Sequence, residues 1–327
     1  MNCFLKYVII SLVIFICSCN TTGNKIEEEE KEALKDSLIE IDSIPSGITE
    51  NLTYEEVYDR ALALWKVPFQ QMKLKTTYGT AHVFVSGPVD APVLVLLHGM
   101  NASSAMWYPN IEALSKGYRI YAIDFLMEPG RSVCEGEIND TKQIVNWYYE
   151  IFDQLKLKKF SLLGASRGGW LAVNIALHSP ERINKMALLS PAQTFIWIRP
   201  GAKIMENVLY TISPKRKRLR SVLETMTSNI ENIEQDYINL YFLSTKKASV
   251  NKCFLQMRPF SEKELKSLHM PILVLIGDKD IINNAKSLDI ARTTFSNGKS
   301  EIIENAGHFL SVDQATVVNE KVLIFLK

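Results

Sequence analysis

A serine in a tight glycine-rich turn is the first candidate for chemistry in this sequence. Ser166 lies in Gly164-Ala-Ser-Arg-Gly168, after the apolar run Phe160–Leu163 and before a segment with helical spacing. Where a strand turns sharply into a helix, small flanking residues let the chain pass, and the helix N-terminus points free N–H groups at developing negative charge. We predict that Ser166 is a nucleophile and that Gly164 and Gly168 support the turn. A glycine-rich turn with a structural serine is the alternative.

A base must accompany this serine, because a hydroxyl is a weak nucleophile until its proton is removed. The chain has five histidines, and His308 follows the last predicted strand in Asn305-Ala-Gly-His-Phe309. A loop after a parallel strand opens at the carboxyl edge of the sheet, where ligands bind. We therefore predict that His308 is the general base. The remaining histidines are expected to be structural: His82, His98, His178 and His269.

The base in turn needs a carboxylate that fixes its tautomer and stabilises the imidazolium. The predicted strand Ile272–Ile276 runs into Gly277-Asp-Lys-Asp280, so two aspartates lie at its carboxyl end. Only one of them can hydrogen-bond His308 well. We predict that this is Asp280, whereas Asp278 caps the turn or faces solvent. An acid after the preceding strand is disfavoured, because residues 190–194 contain no carboxylate.

Strand-like and helix-like segments alternate along most of the chain, which predicts a mostly parallel sheet flanked by helices. The first of the buried strands, Val93–Leu97, is a continuous apolar run, typical of a strand covered on both faces. A hairpin around Tyr78-Gly79 precedes it. The other predicted strands are Ile120–Ile123, Phe160–Leu163, Met186–Leu189, Ile272–Ile276 and Ser300–Ile303. The predicted helices are Tyr54–Trp65, Ile111–Leu114, Gln143–Leu155, Gly168–His178 and Asp313–Leu326.

The alternation stops between Pro191 and about His269, where the sequence is helical and irregular. We predict a helical cap over residues 191–269, inserted before the penultimate strand and between core segments 52–190 and 270–327. Large apolar residues in this segment favour an apolar pocket over Ser166, with plain packing of the cap as the alternative. They include Phe195, Trp197, Met205, Leu209, Tyr210, Met226, Tyr241, Phe242, Phe254 and Met257. The basic run Pro214–Arg220 indicates a solvated helix face or, alternatively, a contact with an anionic lipid or substrate.

The N-terminus has a different character from the rest of the chain. Residues 1–19 combine one lysine, an apolar run from Tyr7 to Ile16 and the sequence Cys17-Ser-Cys19. The run is about half as long as a membrane-spanning helix and has the size of a signal-peptide core. Ile16-Cys-Ser-Cys19 resembles the lipobox of bacterial lipoproteins. We predict a signal peptide over residues 1–18, lipidation of Cys19, and an acidic tether over residues 19–51 that anchors an exported protein to the bacterial cell envelope. A plain secretory signal or an uncleaved anchor is the alternative.

Composition narrows the classes of function. The 327 residues carry a net charge of +1 and are 47% hydrophobic, which suits one large core and gives no support for a nucleic-acid partner. Outside the leader the cysteines are Cys134 and Cys253, and two free thiols are favoured over a disulfide. We expect neither a metal nor a cofactor.

Several motifs together resemble the α/β-hydrolase superfamily: His98-Gly99, Gly164-x-Ser-x-Gly-Gly169, Gly277-x-x-Asp280 and Gly307-His308. Asp124 with Pro129-Gly-Arg-Ser132 is similar to the D-x-x-G-x-G-x-S segment of that family, although residues 126–128 depart from it. Segments 105–111, 190–195 and 305–311 resemble bacterial carboxylesterases of the naproxen-esterase type.

This resemblance implies an α/β-hydrolase fold and an oxyanion hole made of two backbone N–H groups. By position these donors belong to Met100 and Arg167, with His98 and Gly99 supporting the first of them. The implied activity is hydrolysis of a small-molecule carboxylic ester through an acyl-enzyme. Thioester, amide or carbon–carbon bond hydrolysis and cofactor-free peroxidation are alternatives for the same triad, and a non-catalytic ligand-binding lipoprotein is another.

Overall fold

The computed structural model describes residues 52–248 and 256–327. Within these residues nine strands form one sheet. They are β1 (Phe69–Thr76), β2 (Gly79–Ser86), β3 (Val93–Leu97), β4 (Arg119–Asp124), β5 (Val133–Cys134), β6 (Phe160–Ala165), β7 (Ile183–Leu189), β8 (Ile272–Gly277) and β9 (Gly298–Ile303). The predicted signal peptide, Cys19, the tether, Cys253 and Phe254 lie outside the described residues.

The sheet is mostly parallel, as the alternation of elements predicts. The strand order is β1-β2-β4-β3-β6-β7-β8-β9, and the short β5 pairs with β2. The hairpin of β1 and β2 is antiparallel and so is the pairing of β2 with β4, whereas β3, β4, β6, β7, β8 and β9 pair in parallel. The carboxyl ends of these parallel strands therefore meet at one edge, where β6, β8 and β9 deliver the candidate site residues.

Helices fill most of the connections between the strands. They are α1 (Tyr54–Ala63), α2 (Ile111–Ser115), α3 (Thr141–Gln154), α4 (Arg167–His178), α5 (Ala202–Ile212), α6 (Arg216–Met226), α7 (Gln235–Lys247), α8 (Glu262–Lys266), α9 (Ala285–Thr294), α10 (Leu310–Asp313) and α11 (Ala315–Leu326). The prediction of a single helix over Asp313–Leu326 is wrong in one respect, because the helix is interrupted at Gln314, between α10 and α11. Helix α9 was not predicted, because its buried face is built partly from Ser287 and Thr294 and gives a weak apolar pattern.

Two hydrophobic clusters cover the two faces of the sheet. Along β3, Val95 and Leu97 belong to one cluster, whereas Leu94 and Leu96 belong to the other. Successive side chains of a strand point to opposite faces, so this division means that β3 is buried on both sides. The prediction of a doubly covered strand from its continuous apolar run is confirmed.

The segment between β7 and β8 contains helices and, in its described part, no strand. Helices α5, α6 and α7 share a third hydrophobic cluster that includes Tyr210, Leu219 and Tyr237. Met257 and Phe260, by contrast, pack in a cluster of the sheet. The domain boundaries at residues 190 and 269 stay a prediction, and this packing favours a cap narrower than residues 191–269.

Two further observations concern the periphery of the fold. Cys134 is a free cysteine at an exposed position in β5. In the two described ranges, no helix has both the length and the apolar character that crossing a membrane requires.

Candidate active site

Ser166 occupies a strained turn between β6 and α4. Its backbone has φ 52° and ψ −118°, outside the ordinary helical and extended regions. The turn is also crowded: a Cβ atom on Gly164 would lie 2.3 Å from the carbonyl oxygen of Gly168, and one on Gly168 would lie 2.0 Å from that of Leu97. Only glycine fits at these two positions, in agreement with the sequence-based argument that small flanking residues let the chain pass. The turn places the hydroxyl of Ser166 at the carboxyl edge of the sheet.

Three side chains from three loops form one hydrogen-bonded array at this edge. His308 Nε2 lies 2.8 Å from Ser166 Oγ, and His308 Nδ1 lies 3.0 Å from Asp280 Oδ1. The side chains of His308 and Asp280 are 1% and 0% exposed. A carboxylate only accepts, so the network assigns the proton to Nδ1 and leaves Nε2 free to accept from the serine. The structure thus brings together the serine, histidine and aspartate singled out in the sequence.

Asp280 is held as a buried carboxylate by several donors. Its Oδ1 also accepts from the backbone N–H of Ile282 at 2.8 Å, and its Oδ2 accepts from Asn283 Nδ2 at 3.0 Å. Burial by itself raises the pKa of Asp280, but the charge of His308 and the hydrogen bonds from His308, Ile282 and Asn283 lower that pKa to about 2. The group is therefore ionised at neutral pH, as an orienting acid must be.

The loops that carry Asp280 and His308 are joined by their backbones. Lys279 N–H donates to the carbonyl of Ala306 at 2.9 Å, and Asp278 N–H donates to that of Ile303 at 3.0 Å. Gly277 lets these loops meet, because a Cβ there would lie 2.2 Å from the Ala306 oxygen. The geometry of the aspartate and the histidine is thus set by main-chain contacts.

Met100 and Arg167, the predicted oxyanion donors, lie at the wall of a cavity beside Ser166. Neither backbone N–H has a hydrogen-bond partner among the described residues. A Cβ on Gly99 would lie 3.5 Å from Ser166 Cβ, so the loop after β3 runs directly past the serine. Two unused donors therefore flank the serine.

The direction of the Met100 N–H follows from its peptide plane. His98 Nε2 accepts from the backbone N–H of Phe125 at 2.8 Å, so Nδ1 carries the proton and donates to the Gly99 carbonyl at 2.9 Å. In a trans peptide the C=O and the following N–H point in opposite directions. By holding the Gly99 oxygen, His98 fixes the opposite direction of the Met100 N–H.

The carbonyl of Ser166 fixes Arg167 in the same way. It accepts from the backbone N–H groups of Gly169 at 3.0 Å, Trp170 at 3.3 Å and Ala192 at 3.1 Å. Because the Arg167 N–H belongs to the same peptide plane, it points away from these donors and out of the first turn of α4.

A cavity of about 460 Å³ opens above the serine, and its wall is mainly apolar. Helix α5 contributes Ile204, Val208 and Ile212, which share one face because they are four residues apart. The other apolar lining residues include Ala102, Met106, Ile198, Pro214, Met226, Ile282, Phe309, Leu310 and Val312. Of the pocket residues proposed from the sequence, Met226 and Tyr241 line the cavity.

The remaining residues proposed for the pocket have other positions. Trp197 and Leu209 are exposed at 63% and 48%, and Tyr210 is buried in the cluster of the cap. Phe195 and Met257 are buried in a cluster of the sheet. The others that can be described, Met205 and Phe242, do not line the cavity. Apolar composition predicted the character of the pocket, but it did not identify the helix face that forms it.

Comparisons with known proteins agree with this arrangement. A family described as the alpha/beta hydrolase fold matches residues 92–224. A Bacillus subtilis protein named as an uncharacterized carboxylesterase, nap, is 35% identical over 294 residues, which cover 86% of this chain and 95% of that protein. The chain belongs to the α/β-hydrolase family. Carboxylesterase YbfK of the same species is 31% identical, over 86% of this chain and 96% of its own. The crystal structure of naproxen esterase from B. subtilis superposes with a TM-score of 0.78 at 33% identity, over 84% of this chain and 97% of that one.

The acid that pairs with the Arg167 side chain of this α/β-hydrolase was not identified from the sequence. The guanidinium Nη1 of Arg167 donates to Glu128 Oε1, and the two side chains are 4% and 5% exposed. The guanidinium also lies over the ring of Phe125, 4.7 Å from its centroid. The only signal in the sequence is that residues 126–128 depart from the family pattern, and a departure does not name a partner.

A second residue missed in the sequence, Asp313, joins the cap of this α/β-hydrolase to the histidine loop. Its Oδ2 accepts from the backbone N–H of Gly307 at 2.7 Å and of Ser228 at 2.9 Å, and its Oδ1 accepts from Thr227 Oγ1. Ser228 and Thr227 directly follow α6. One buried carboxylate therefore links the residue before His308 to the end of a cap helix.

Two further titratable groups of this α/β-hydrolase, Asp124 and His82, are buried and hydrogen-bonded. Asp124 is fully buried and accepts from Tyr58 Oη at 2.8 Å, Ser104 N–H at 2.8 Å and Arg131 N–H at 2.7 Å. His82 Nε2 pairs with Gln71 Oε1 at 2.9 Å. Among the described residues, no group of three or more His, Cys, Asp or Glu side chains could hold a metal ion.

Proposed function

We propose that this α/β-hydrolase is a serine esterase that cleaves carboxylic esters through an acyl-enzyme. The observation that carries the proposal is the hydrogen-bonded array from Ser166 through His308 to Asp280 at the base of an apolar cavity. Two relatives whose length the chain covers almost completely are carboxylesterases by name, which supports the ester as the bond cleaved.

The proposed reaction has two half-cycles, acylation and deacylation, which use the same groups. Ser166 Oγ attacks the ester carbonyl carbon while its proton passes to His308 Nε2, and the carbonyl oxygen becomes an oxyanion that accepts from the N–H groups of Met100 and Arg167. The C–O bond to the alcohol then breaks, and His308 returns the proton to the departing oxygen. A water molecule attacks the acyl-serine in the same way, releasing the acid and regenerating Ser166. Asp280 stays ionised and stabilises the imidazolium throughout.

The proposed substrates are esters with short to medium apolar acyl groups. The cavity presents Ile204, Val208 and Ile212 of α5 and Phe309 beside the serine. Burying a methylene group in such surroundings contributes about 0.8 kcal/mol. Tyr241, which also lines the cavity, stays neutral because burial raises its pKa to about 12. A sugar would need many more hydrogen-bonding groups than this wall offers.

A fluorophosphonate probe tests the esterase proposal directly, because it phosphonylates an activated serine hydroxyl. We expect the wild-type protein to be labelled and to hydrolyse p-nitrophenyl butyrate. Ser166→Ala should lose the label, and its kcat should fall roughly 10⁴- to 10⁶-fold. Ser190→Ala is the matched control, since Ser190 is buried nearby but does not line the cavity. Hydrolysis by Ser166→Ala within tenfold of wild type would refute the proposal.

We also propose, from the sequence of the leader, that the mature protein is anchored to a bacterial membrane by a lipid on Cys19. The support is the short apolar run up to Ile16 followed by Cys17-Ser-Cys19. Cys19→Ala should abolish incorporation of a palmitate analogue and block maturation, whereas Cys17→Ala should retain incorporation. Incorporation that persists in Cys19→Ala, or a mature N-terminus at another residue, would contradict the anchor.

A further inference from the structure

We infer that Glu128 is a positioning residue that holds the two oxyanion donors, Met100 and Arg167, in register with each other. The inference rests on the proposed function, because an oxyanion forms only if Ser166 attacks a carbonyl carbon. Glu128 itself does not have to touch the reacting atoms. Its effect is exerted through the residues that it binds.

The carboxylate of Glu128 bridges the two segments that carry the donors. Its Oε2 accepts from the backbone N–H of Asn101 at 2.9 Å, in the loop after β3. Its Oε1 accepts from the guanidinium of Arg167, the first residue of α4. The loop and the helix N-terminus are thereby connected through one side chain that comes from a third segment, the turn after β4.

The contact with Asn101 completes the fixing of Met100. The peptide group before Met100 is held through the Gly99 carbonyl by His98, and the peptide group after it is held through the Asn101 N–H by Glu128. With both neighbouring peptide planes held, the backbone of Met100 has little freedom to turn its N–H away from the serine. Asn101 has φ 55°, a left-handed conformation that is uncommon for residues other than glycine and that such contacts help to maintain.

Glu128 is itself held firmly enough to act as a reference point. Its backbone N–H donates to the carbonyl of Phe125 at 3.0 Å, closing the turn after β4. Phe125 also donates its backbone N–H to His98 and lies beneath the guanidinium of Arg167. The supports of Met100 and Arg167 therefore converge on one short turn, residues 125–128.

A role in positioning also explains why the energetically unfavourable burial of the Glu128–Arg167 ion pair is present. Two buried charges must be taken out of water, and apolar residues of similar volume often stabilise a fold as well or better. Arg167 Nε, moreover, is buried without a hydrogen-bond partner among the described residues. An ion pair in the wall of a mainly apolar cavity adds little as packing. What it supplies is a fixed distance between two backbone segments.

The test removes the bridge without leaving either charge unpaired. In the double variant Glu128→Gln/Arg167→Met both charges are absent, so the protein should fold with a Tm near that of wild type, whereas either single change leaves a buried charge and should lower Tm. With p-nitrophenyl butyrate, we expect kcat of the double variant to fall roughly 10- to 100-fold, with KM within about threefold.

A second readout separates positioning from a general loss of structure. Ser166 adds to the carbonyl carbon of a trifluoromethyl ketone with a butyryl-sized chain, which leaves an oxyanion in the hole. The affinity for this ketone should therefore fall in parallel with kcat. The affinity of the corresponding alcohol, which forms no oxyanion, should stay within about threefold. Asp153→Asn is the control, because it breaks the ion pair between Asp153 and Arg182 (2.7 Å), away from the cavity, and should alter no constant more than about twofold.

The outcomes distinguish this inference from the proposed function. If the wild-type enzyme has Ser166-dependent turnover and the folded double variant keeps kcat and ketone affinity within about threefold, the positioning role is refuted and the esterase proposal stands. If ketone and alcohol affinities fall equally, the pair shapes the pocket and not the oxyanion hole, which also refutes the inference. Absence of Ser166-dependent turnover in the wild-type enzyme overturns both.

Discussion

Asp280 and Asp278 follow the same strand and lie two residues apart, yet only Asp280 contacts His308. Asp278 is exposed, and its Oδ1 accepts from the backbone N–H of Ala306 at 2.9 Å. The pKa of Asp278 is also lowered, although the small burial of the group raises it, because backbone N–H groups of Ala306 and Asn305 donate to it. Both aspartates therefore contact the histidine loop, but Asp278 binds its backbone whereas Asp280 binds the imidazole itself.

This difference predicts a large loss of activity for one of two equally conservative substitutions and a small loss for the other. Asp280→Asn should lower kcat by about 10³- to 10⁴-fold, because the amide can favour the wrong tautomer of His308. Asp278→Asn should cost less than about fivefold, since asparagine keeps an oxygen that accepts from Ala306. Steady-state kinetics on p-nitrophenyl butyrate, with thermal unfolding of both variants, compares them. A larger loss in Asp278→Asn would mean that the wrong carboxylate has been assigned.

The lowered pKa of Asp280 predicts how stability changes in acid. The pKa is about 2 in the folded protein, against about 3.9 for an ordinary aspartate, so the ionised form is favoured by folding. This contribution is about 2 kcal/mol. It is present above pH 4 and is lost as the pH falls from 4 through 2.

Asp280→Asn lacks the titrating carboxyl group, so its free energy of unfolding should fall less steeply than that of wild type between pH 4 and pH 2. Urea unfolding of wild type and Asp280→Asn at pH 5, 4, 3 and 2 measures the difference between the two curves. We expect the difference to shrink by about 2 kcal/mol towards pH 2. Curves that stay parallel would contradict the assigned pKa.

The close approach of Gly168 to β3 predicts that no side chain is tolerated there. The Cβ of Gly168→Ala would lie 2.0 Å from the Leu97 carbonyl oxygen, which is backbone and cannot move aside easily. We expect a loss of about 1–3 kcal/mol in unfolding free energy, with a fall in kcat because the N-terminus of α4 is displaced. Gly117→Ala, where nothing lies within 4 Å of the added Cβ, should change stability by less than about 0.5 kcal/mol. Equal stabilities for the two variants would contradict the packing of this turn.

The apolar face of α5 predicts a dependence on acyl length. With p-nitrophenyl esters, kcat/KM should rise from acetate towards butyrate or hexanoate, by up to about fourfold for each methylene group buried. Val208→Phe should fill part of the cavity and reduce kcat/KM for hexanoate more than for acetate. Leu209→Phe, on the next residue of the same helix but exposed and away from the cavity, should leave the ratio unchanged. A preference for acetate in the wild-type enzyme would refute the apolar pocket.

The sequence predicts the fold well wherever the controlling interaction is local. Apolar runs predict β3, β4 and β6 to within two residues, because a strand buried on both faces needs such a run. The boundaries are poorer where small polar residues are buried, as in α9, or where a helix is interrupted, as at Gln314. The family membership follows from motifs, and the insertion of helices between β7 and β8 follows from the interruption of the alternation.

The sequence alone determines the candidate reactive residues of this protein. A serine between glycines at a strand end and a histidine after the last strand can be recognised from their immediate neighbours. Which groups meet is decided by the tertiary structure. The choice between Asp278 and Asp280 depends on how the aspartate loop and the histidine loop join through backbone hydrogen bonds. The contact of Asp280 with His308 spans 28 residues of sequence. The pairing of Glu128 with Arg167 spans 39 residues, and that of Thr227 with Asp313 spans 86. Contacts at such separations depend on the relative positions of strand ends and helix ends, which no local pattern of residue types encodes.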